Sequence, residues 1–315
     1  MKLNLEQIKS VAVGTAKVYV EDGFFHFDKA TEKQKDAWME TGLGRSVPAT
    51  TGVRLDFHTN SKTFSFSAFV ENSRHEVLVD GETVFFKSLT KENDSAKINL
   101  DGKEHRITLL LPFHSKGVLK SVEIDDGASF TPHKFDCKIM FYGDSLTQGW
   151  HSSQDSLGYA FRVSQYFNAE SVILGNGGTI FTPKAVTGDH PFKPELLIVS
   201  YGTNDFDKAQ EMSKVRDDAK AFLDNIVKYY KDIPKVGITP TWRKDLATPR
   251  PCGTFEELVE TIKSEYLAHG LYVVEGTSLF PHDPELLMDS VHPGDKCFEL
   301  YAKNLIPHLE KLLKK

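Results

Sequence analysis

Phe141-Tyr142-Gly143-Asp144-Ser145-Leu146-Thr147-Gln148-Gly149 is the stretch on which the reading of this chain turns. A strand-like run, Cys137–Tyr142, passes directly into a glycine, an acid and a serine. In a parallel sheet, functional side chains gather beyond the C-terminal ends of the strands. A small residue at 143 permits a sharp turn, which puts Ser145 at the start of the next segment. A serine hydroxyl is a poor nucleophile without an adjacent base. Far downstream, Asp289-Ser290-Val291-His292 offers one. His292 can act as the base, and Asp289, three residues earlier, can orient its other ring nitrogen from the same local turn.

Around this stretch the chain alternates. Strand-like runs occur at Cys137–Tyr142, Ser171–Leu174, Leu196–Ser200, Val236–Thr239 and Leu271–Val274. Helix-like segments fall at about 157–168, 213–231, 255–269 and 294–313. That order predicts a parallel sheet covered by helices. Gly270 is placed to stop a helix before the last strand. Ser213, with Arg216 three residues on, makes only half of a capping box.

Before residue 132 the pattern is different. Short runs such as Ala16–Val20, Val53–Phe57, Thr63–Val70, Glu76–Val79 and Arg106–Leu111 have the period and residue types of strands. Asp80-Gly81 and Asp101-Gly102 are turn signals between them. No long helix pattern is visible there, and an antiparallel sandwich is expected. Gly, Ser, Thr and Pro cluster in Gly127–Lys134. The expected units are therefore a β-sandwich over residues 1–132 and an α/β catalytic domain over 133–315, closely packed because the join is short.

Composition narrows the function. The 315 residues carry a formal charge of -6, which gives no basic surface for nucleic acid or an anionic membrane. No apolar run is long enough to cross a bilayer. The N-terminus lacks the apolar core of an export signal, so a cytoplasmic location is expected. Cys137, Cys252 and Cys297 lack metal-ligand spacing and read as free thiols. The histidines are scattered and no His-Glu-x-x-His run occurs, so no metal or cofactor is expected.

Taken singly, Ser145 reads as a turn or N-cap serine, His292 as a loop residue and Asp289 as a solvated acid. Gly-x-Ser-x-Gly does not occur at Ser145, so that form of nucleophile elbow does not apply. Three blocks in order change the weighing. Gly143-Asp144-Ser145-Leu146-Thr147-Gln148-Gly149, Tyr201-Gly202-Thr203-Asn204-Asp205 and Asp289-x-x-His292-Pro293 resemble the conserved blocks of the GDSL (SGNH) hydrolases. The resemblance covers roughly residues 136–315. It implies a three-layer α/β/α fold with Ser145 as nucleophile, His292 as general base and Asp289 as its partner. It also implies an oxyanion hole from the Ser145 and Gly178 backbone N–H groups and the Asn204 amide.

One block departs from the family. With Gly178 aligned to the functional glycine, Ile173 occupies the place of an asparagine, and Asn176 cannot fill it without a gap. Gly177 stays open as the donor. Asp144 and Asp205 read as bracing or turn residues.

For substrate binding, Trp150, Trp242 and Arg243 follow strand ends. The tryptophans can form aromatic walls or packing, and Arg243 a polar substrate contact or an ion pair. Arg45-Ser46 and Ser61 occupy loop-like positions that can approach the site or join the domains. Trp38 reads as core. The N-terminal sandwich, jelly-roll-like, resembles the arrangement in carbohydrate esterases and some GDSL acyltransferases. The expected activity is hydrolysis of a small O-acyl ester, O-acetyl on a carbohydrate or oligosaccharide. The alternatives are an acyltransferase and a non-catalytic carbohydrate-binding protein.

Overall fold

A computed structural model describes residues 1–42, 44–68, 73–90 and 94–313. Residues Phe69 and Val70 of the expected strand Thr63–Val70 lie outside the described residues.

The parallel sheet has five strands, Cys137–Gly143, Ala169–Gly175, Leu196–Ser200, Lys235–Ile238 and Tyr272–Val274. The second strand is at one edge and the first lies between it and the third, followed by the fourth and fifth. Neighbours pair in parallel, with Gly143 opposite both Gly175 and Ser200. The direction of winding reverses around the first strand, and a crevice forms there beyond the strand ends.

Period-two alternation sorts the strand side chains onto two faces. Met140, Tyr142, Val172, Leu174, Leu197 and Val199 share a core with helices Met212–Tyr229 and Phe255–Ala268. Ile139, Phe141, Ile173, Leu196 and Ile198 face helices Tyr159–Tyr166 and Asp295–Leu313. The result is a three-layer α/β/α unit. Glu211, not Ser213, caps the first long helix, and it does so without a side-chain bond.

The N-terminal part has two antiparallel sheets around a separate core that includes Leu55, Phe57, Phe64, Phe66, Val77, Ile107 and Leu119. One sheet contains Arg54–Thr59, His105–Leu110, Ser73–Val79 and Glu82–Leu89; the other contains Lys17–Glu21, Phe24–Asp28, Val118–Ile124, Thr63–Ala68 and Ser95–Asn99. Asp80 and Gly81, both at positive φ, close a two-residue hairpin. Asp101-Gly102 instead carries the chain from one sheet to the other, because the strands flanking it belong to different sheets.

Two short helices interrupt the β pattern, Leu5–Val11 and Glu32–Glu40. Each begins with a capping box, Asn4 with Gln7 and Thr31 with Gln34. The second helix packs into the α/β unit. Trp38, fully buried, joins the cluster of Tyr142 and Tyr201, and Gln34 Nε2 donates to the Tyr142 hydroxyl at 2.9 Å and to Ala185 O.

Further buried polar contacts cross between the two parts. Arg54 donates to Ala169 O and to Ser171 Oγ. Lys29 Nζ donates to Gly175 O at 2.9 Å. Glu76 accepts from the Ser156 N–H and hydroxyl. Buried donors and acceptors of this kind cost free energy when unpaired. The sandwich is therefore held against the sheet at fixed places, one of them beneath a strand end that borders the crevice.

Candidate active site

The first strand ends at Gly143 for a spatial reason. A Cβ there would lie 2.0 Å from Thr147 Oγ1 and 2.8 Å from Ser200 O. Only glycine lets the chain turn so tightly between the first and third strands. Asp144 then caps the short helix Ser145–Gln148, its Oδ1 accepting the Leu146 N–H at 2.9 Å. Burial pushes the Asp144 carboxyl up to about 7, despite that bond. It is a brace of the turn.

Ser145 is the first residue of this helix, so its N–H has no intrahelical acceptor. Its Oγ lies 2.9 Å from His292 Nε2. His292 Nδ1 lies 2.7 Å from Asp289 Oδ2, while Asp289 Oδ1 accepts the backbone N–H groups of Val291 and His292. Partial burial of Asp289 works against its charge, but the N–H groups of His292 and Val291 and the imidazole outweigh it and hold the carboxyl at about 2. A carboxylate with this set of donors stays ionised and fixes the ring orientation.

The loop carrying the pair is tied down on both sides. Met288 N–H donates to His292 O, and Lys244 N–H donates to Ser290 O. Thus residues 147 apart in sequence meet through one loop and one strand end.

On the opposite side, Gly177 and Gly178 follow the second strand. Gly177 N–H donates to Gln148 Oε1 at 2.8 Å, so that donor is already used. Gly178, at φ +81°, adopts a conformation that suits glycine. Its carbonyl accepts from Lys208 Nζ at 2.8 Å. Asn204 lies in the helix Thr203–Lys208 after the third strand. Its Nδ2 donates to Thr179 O at 3.0 Å. An amide nitrogen carries two hydrogens, so this bond aims the group and leaves a second donor.

Ile173 is buried in the sheet and has no polar part in the site. Asn176 is buried as well, its N–H on Gly143 O. Asp205 Oδ1 accepts the Phe181 N–H, and burial raises this carboxyl to about 7.

Ser145, His292, Gly177, Gly178, Asn204 and Trp150 border one open cavity of about 620 Å³. The remaining lining residues, Arg45, Ser46 and His114, come from the N-terminal part. Trp150 is 37% exposed, with its ring centroid 4.5 Å from that of His114 and 6.4 Å from that of His292.

His114 went unseen in sequence reasoning. It lies in a polar turn with no motif, and only docking of the sandwich brings it here. Burial, with Arg74 and His151 nearby, lowers its pKa to about 4, so the ring is neutral at ordinary pH. Ser46 Oγ donates to Gly177 O at 3.4 Å. Ser61 is elsewhere, buried in a sandwich turn and donating to Thr63 O.

Trp242 and Arg243 lie apart from this group. Neither borders this cavity. Trp242 is buried and stacks on His282 with ring centroids 5.4 Å apart. Arg243 is buried and paired with Asp207 and Asp245. A position after a strand end does not by itself place a side chain on the cavity wall, because the following loop can turn inward. Here that loop supports the His292 loop through Lys244.

Among the described residues, one histidine–carboxylate group has the spacing to hold a metal ion: His151, Asp289 and His292, with ligand atoms within 4.8 Å of one another. Two of these already share the Nδ1–Oδ2 hydrogen bond. No helix of the described residues is long and apolar enough to cross a membrane.

Residues 141–300, just over half of the chain, match the GDSL-like Lipase/Acylhydrolase family. The chain belongs to that family. No curated protein matches the sequence. Solved structures do match the fold. A salicylyl-acyltransferase from a tetracycline biosynthetic pathway superposes with a TM-score of 0.83 at 17% identity, covering 96% of this chain and 94% of that one. A family two carbohydrate esterase from Cellvibrio japonicus gives 0.71 at 16% identity, covering 100% and 98%. Another, from Clostridium thermocellum in complex with cellohexaose, gives 0.66 at 18%, covering 84% and 94%. Family and fold together support an esterase-type hydrolase, with the antiparallel sandwich preceding the parallel-sheet domain.

Proposed function

We propose that the protein is a serine esterase that hydrolyses small O-acyl esters, O-acetyl groups on carbohydrate foremost, through an acyl-serine intermediate. The observation that carries this is the chain Ser145 Oγ–His292 Nε2 at 2.9 Å and His292 Nδ1–Asp289 Oδ2 at 2.7 Å, opening on the cavity.

Ser145 attacks the ester carbonyl while His292 takes its proton. Asp289 stabilises the imidazolium by charge and holds its tautomer. The carbonyl oxygen becomes an anion, and the N–H groups of Ser145 and Gly178 with the free amide hydrogen of Asn204 receive it. One such donor contributes about 3 kcal/mol in the transition state. His292 returns the proton to the leaving alcohol, and a water activated by the same ring frees the acid. A cavity that is open and partly polar suits a small acyl group on a polar alcohol.

Acyl transfer uses the same residues with an acceptor alcohol in place of water. The fold shared with an acyltransferase keeps that second reading in view.

The test is a time course with acetylated mono- and oligosaccharides and short aryl esters, with and without candidate acceptor alcohols. Ser145→Ala serves as control. Equal turnover by both proteins would sink the mechanism, and preference for long acyl chains would sink the carbohydrate assignment. Transfer products in place of acetate would move the reading to the transferase.

A further inference from the structure

Arg45 is the cation on the cavity wall that has no partner among the described residues. Arg54, Arg106, Arg243 and Arg250 are each paired with aspartates. Arg45 is exposed, borders the same cavity as Ser145 and His292, and makes no ion pair with a described residue. No aspartate or glutamate is among the residues lining this cavity, although the chain as a whole is acidic. The other basic side chain facing it from the sandwich part, His114, is neutral at ordinary pH.

The backbone beneath Arg45 is well anchored. It sits in the single turn Gly44–Ser46 that follows the helix of Trp38. Val47 N–H donates to Gly44 O and Ala49 N–H to Ser46 O. Val47 is buried in the α/β core beside Trp38. Ser46, the next residue, reaches Gly177 O in the loop that presents Gly178. The turn is thus joined both to the core and to the oxyanion side of the site, so the guanidinium works from a fixed base. A cation in a concave site without acids concentrates a positive potential there. A guanidinium also offers a planar fork of donors matched to a carboxylate.

We propose that Arg45 is a specificity residue for esters that carry a carboxylate, placed on the substrate either as a sugar acid on the alcohol side or as the free end of a dicarboxylic acyl group. The inference rests on the esterase reading for the chemistry at Ser145 and adds a class of substrate to it.

Two matched pairs test it in the full-length protein. One compares acetylated methyl glucuronoside with acetylated methyl glucoside. The other compares the para-nitrophenyl monoester of succinic acid with para-nitrophenyl butyrate. Wild type is expected to favour the charged member of at least one pair in kcat/KM, and the pair that responds identifies the side carrying the charge. R45Q is expected to cut that charged-to-neutral ratio by about tenfold or more, with R45K recovering part of it. Absence of a charge preference in both pairs, or an equal loss for charged and neutral members in R45Q, overturns the proposal.

A protein that turns over none of the four esters defeats the esterase reading separately. Arg45 is then judged by calorimetric titration of Ser145→Ala with the charged esters. Binding that weakens about tenfold or more when R45Q is added supports its role. Absent binding, or binding indifferent to R45Q, overturns it.

Discussion

Gln148 Oε1 accepts the Gly177 N–H at 2.8 Å while Gln148 Nε2 donates to Phe113 O at 2.7 Å. One buried side chain therefore joins the nucleophile helix, the oxyanion loop and the sandwich. It also occupies one of two neighbouring glycine N–H groups, that of Gly177, and not that of Gly178, the proposed oxyanion donor. Gln148→Leu should lower kcat by roughly 10- to 100-fold through loss of loop position and reduce stability by about 2 kcal/mol through unpaired buried groups. Steady-state kinetics and denaturant unfolding check both. An unchanged kcat would show that the loop does not depend on this bridge.

Removal of Ser145 as Ser145→Ala should lower kcat by about 10⁴-fold or more, with thermal stability retained. Asp289→Asn should cost roughly 10²- to 10⁴-fold by releasing the His292 tautomer. Since the native Asp289 carboxyl sits at about 2, its own protonation adds no acid limb to the wild-type pH–rate profile at about pH 4 and above. A profile whose acid limb vanished in Asp289→Asn would contradict this.

Asn204→Ala should reduce kcat by about 10²- to 10³-fold with a smaller change in KM, because the amide donor acts when the oxygen has become an anion. The split between the two constants is the readout. A loss confined to KM would assign Asn204 to ground-state binding instead.

Trp150 and Trp242 should behave in opposite ways. Trp150→Ala, on the cavity wall, should raise KM by roughly tenfold with little change in melting temperature. Trp242→Ala, in the interior, should cost about 3 kcal/mol of stability while the folded fraction keeps a near-native KM. Reversal of the two patterns would reverse their assignments.

Burial of Asp205 raises its carboxyl to about 7, and Asp144 shifts the same way for the same reason. In the unfolded chain such a group titrates near about 3.9. Between those values the folded protein holds a proton that the unfolded chain has released, so stability falls as pH rises from about 4 to about 7. Asp205→Asn keeps an acceptor for the Phe181 N–H and removes the titration. The variant should match wild type at about pH 4 and exceed it by about 2 kcal/mol at about pH 8. Parallel pH slopes in the two proteins would refute the assignment.

The legible parts of this fold are those written in local pattern. Near-continuous apolar runs within Cys137–Gly143, Ala169–Gly175 and Leu196–Ser200 announce strands buried on both sides, and the structure sorts these residues onto two faces. The small helices Leu5–Val11 and Glu32–Glu40 escape the strand reading of this region; their local marks are the capping pairs Asn4 with Gln7 and Thr31 with Gln34. They are too short to show a helical period against a background of strands.

From residue order alone come the two architectures, the nucleophile turn and the pairing of a distant acid with a histidine, because strand period, close glycine packing and a three-residue offset are short-range properties. Docking of the sandwich against the sheet is a long-range matter, and it determines the rest. It brings Arg45, Ser46 and His114 to the cavity and lets Gln148 choose between Gly177 and Gly178. The turn after the fourth strand carries Trp242 and Arg243 inward, away from the cavity that Ser145 and His292 border. The Gly-Asp-Ser stretch specifies where bond breaking is proposed to occur, whereas the packed arrangement of separate segments sets the walls and charge that an ester meets there.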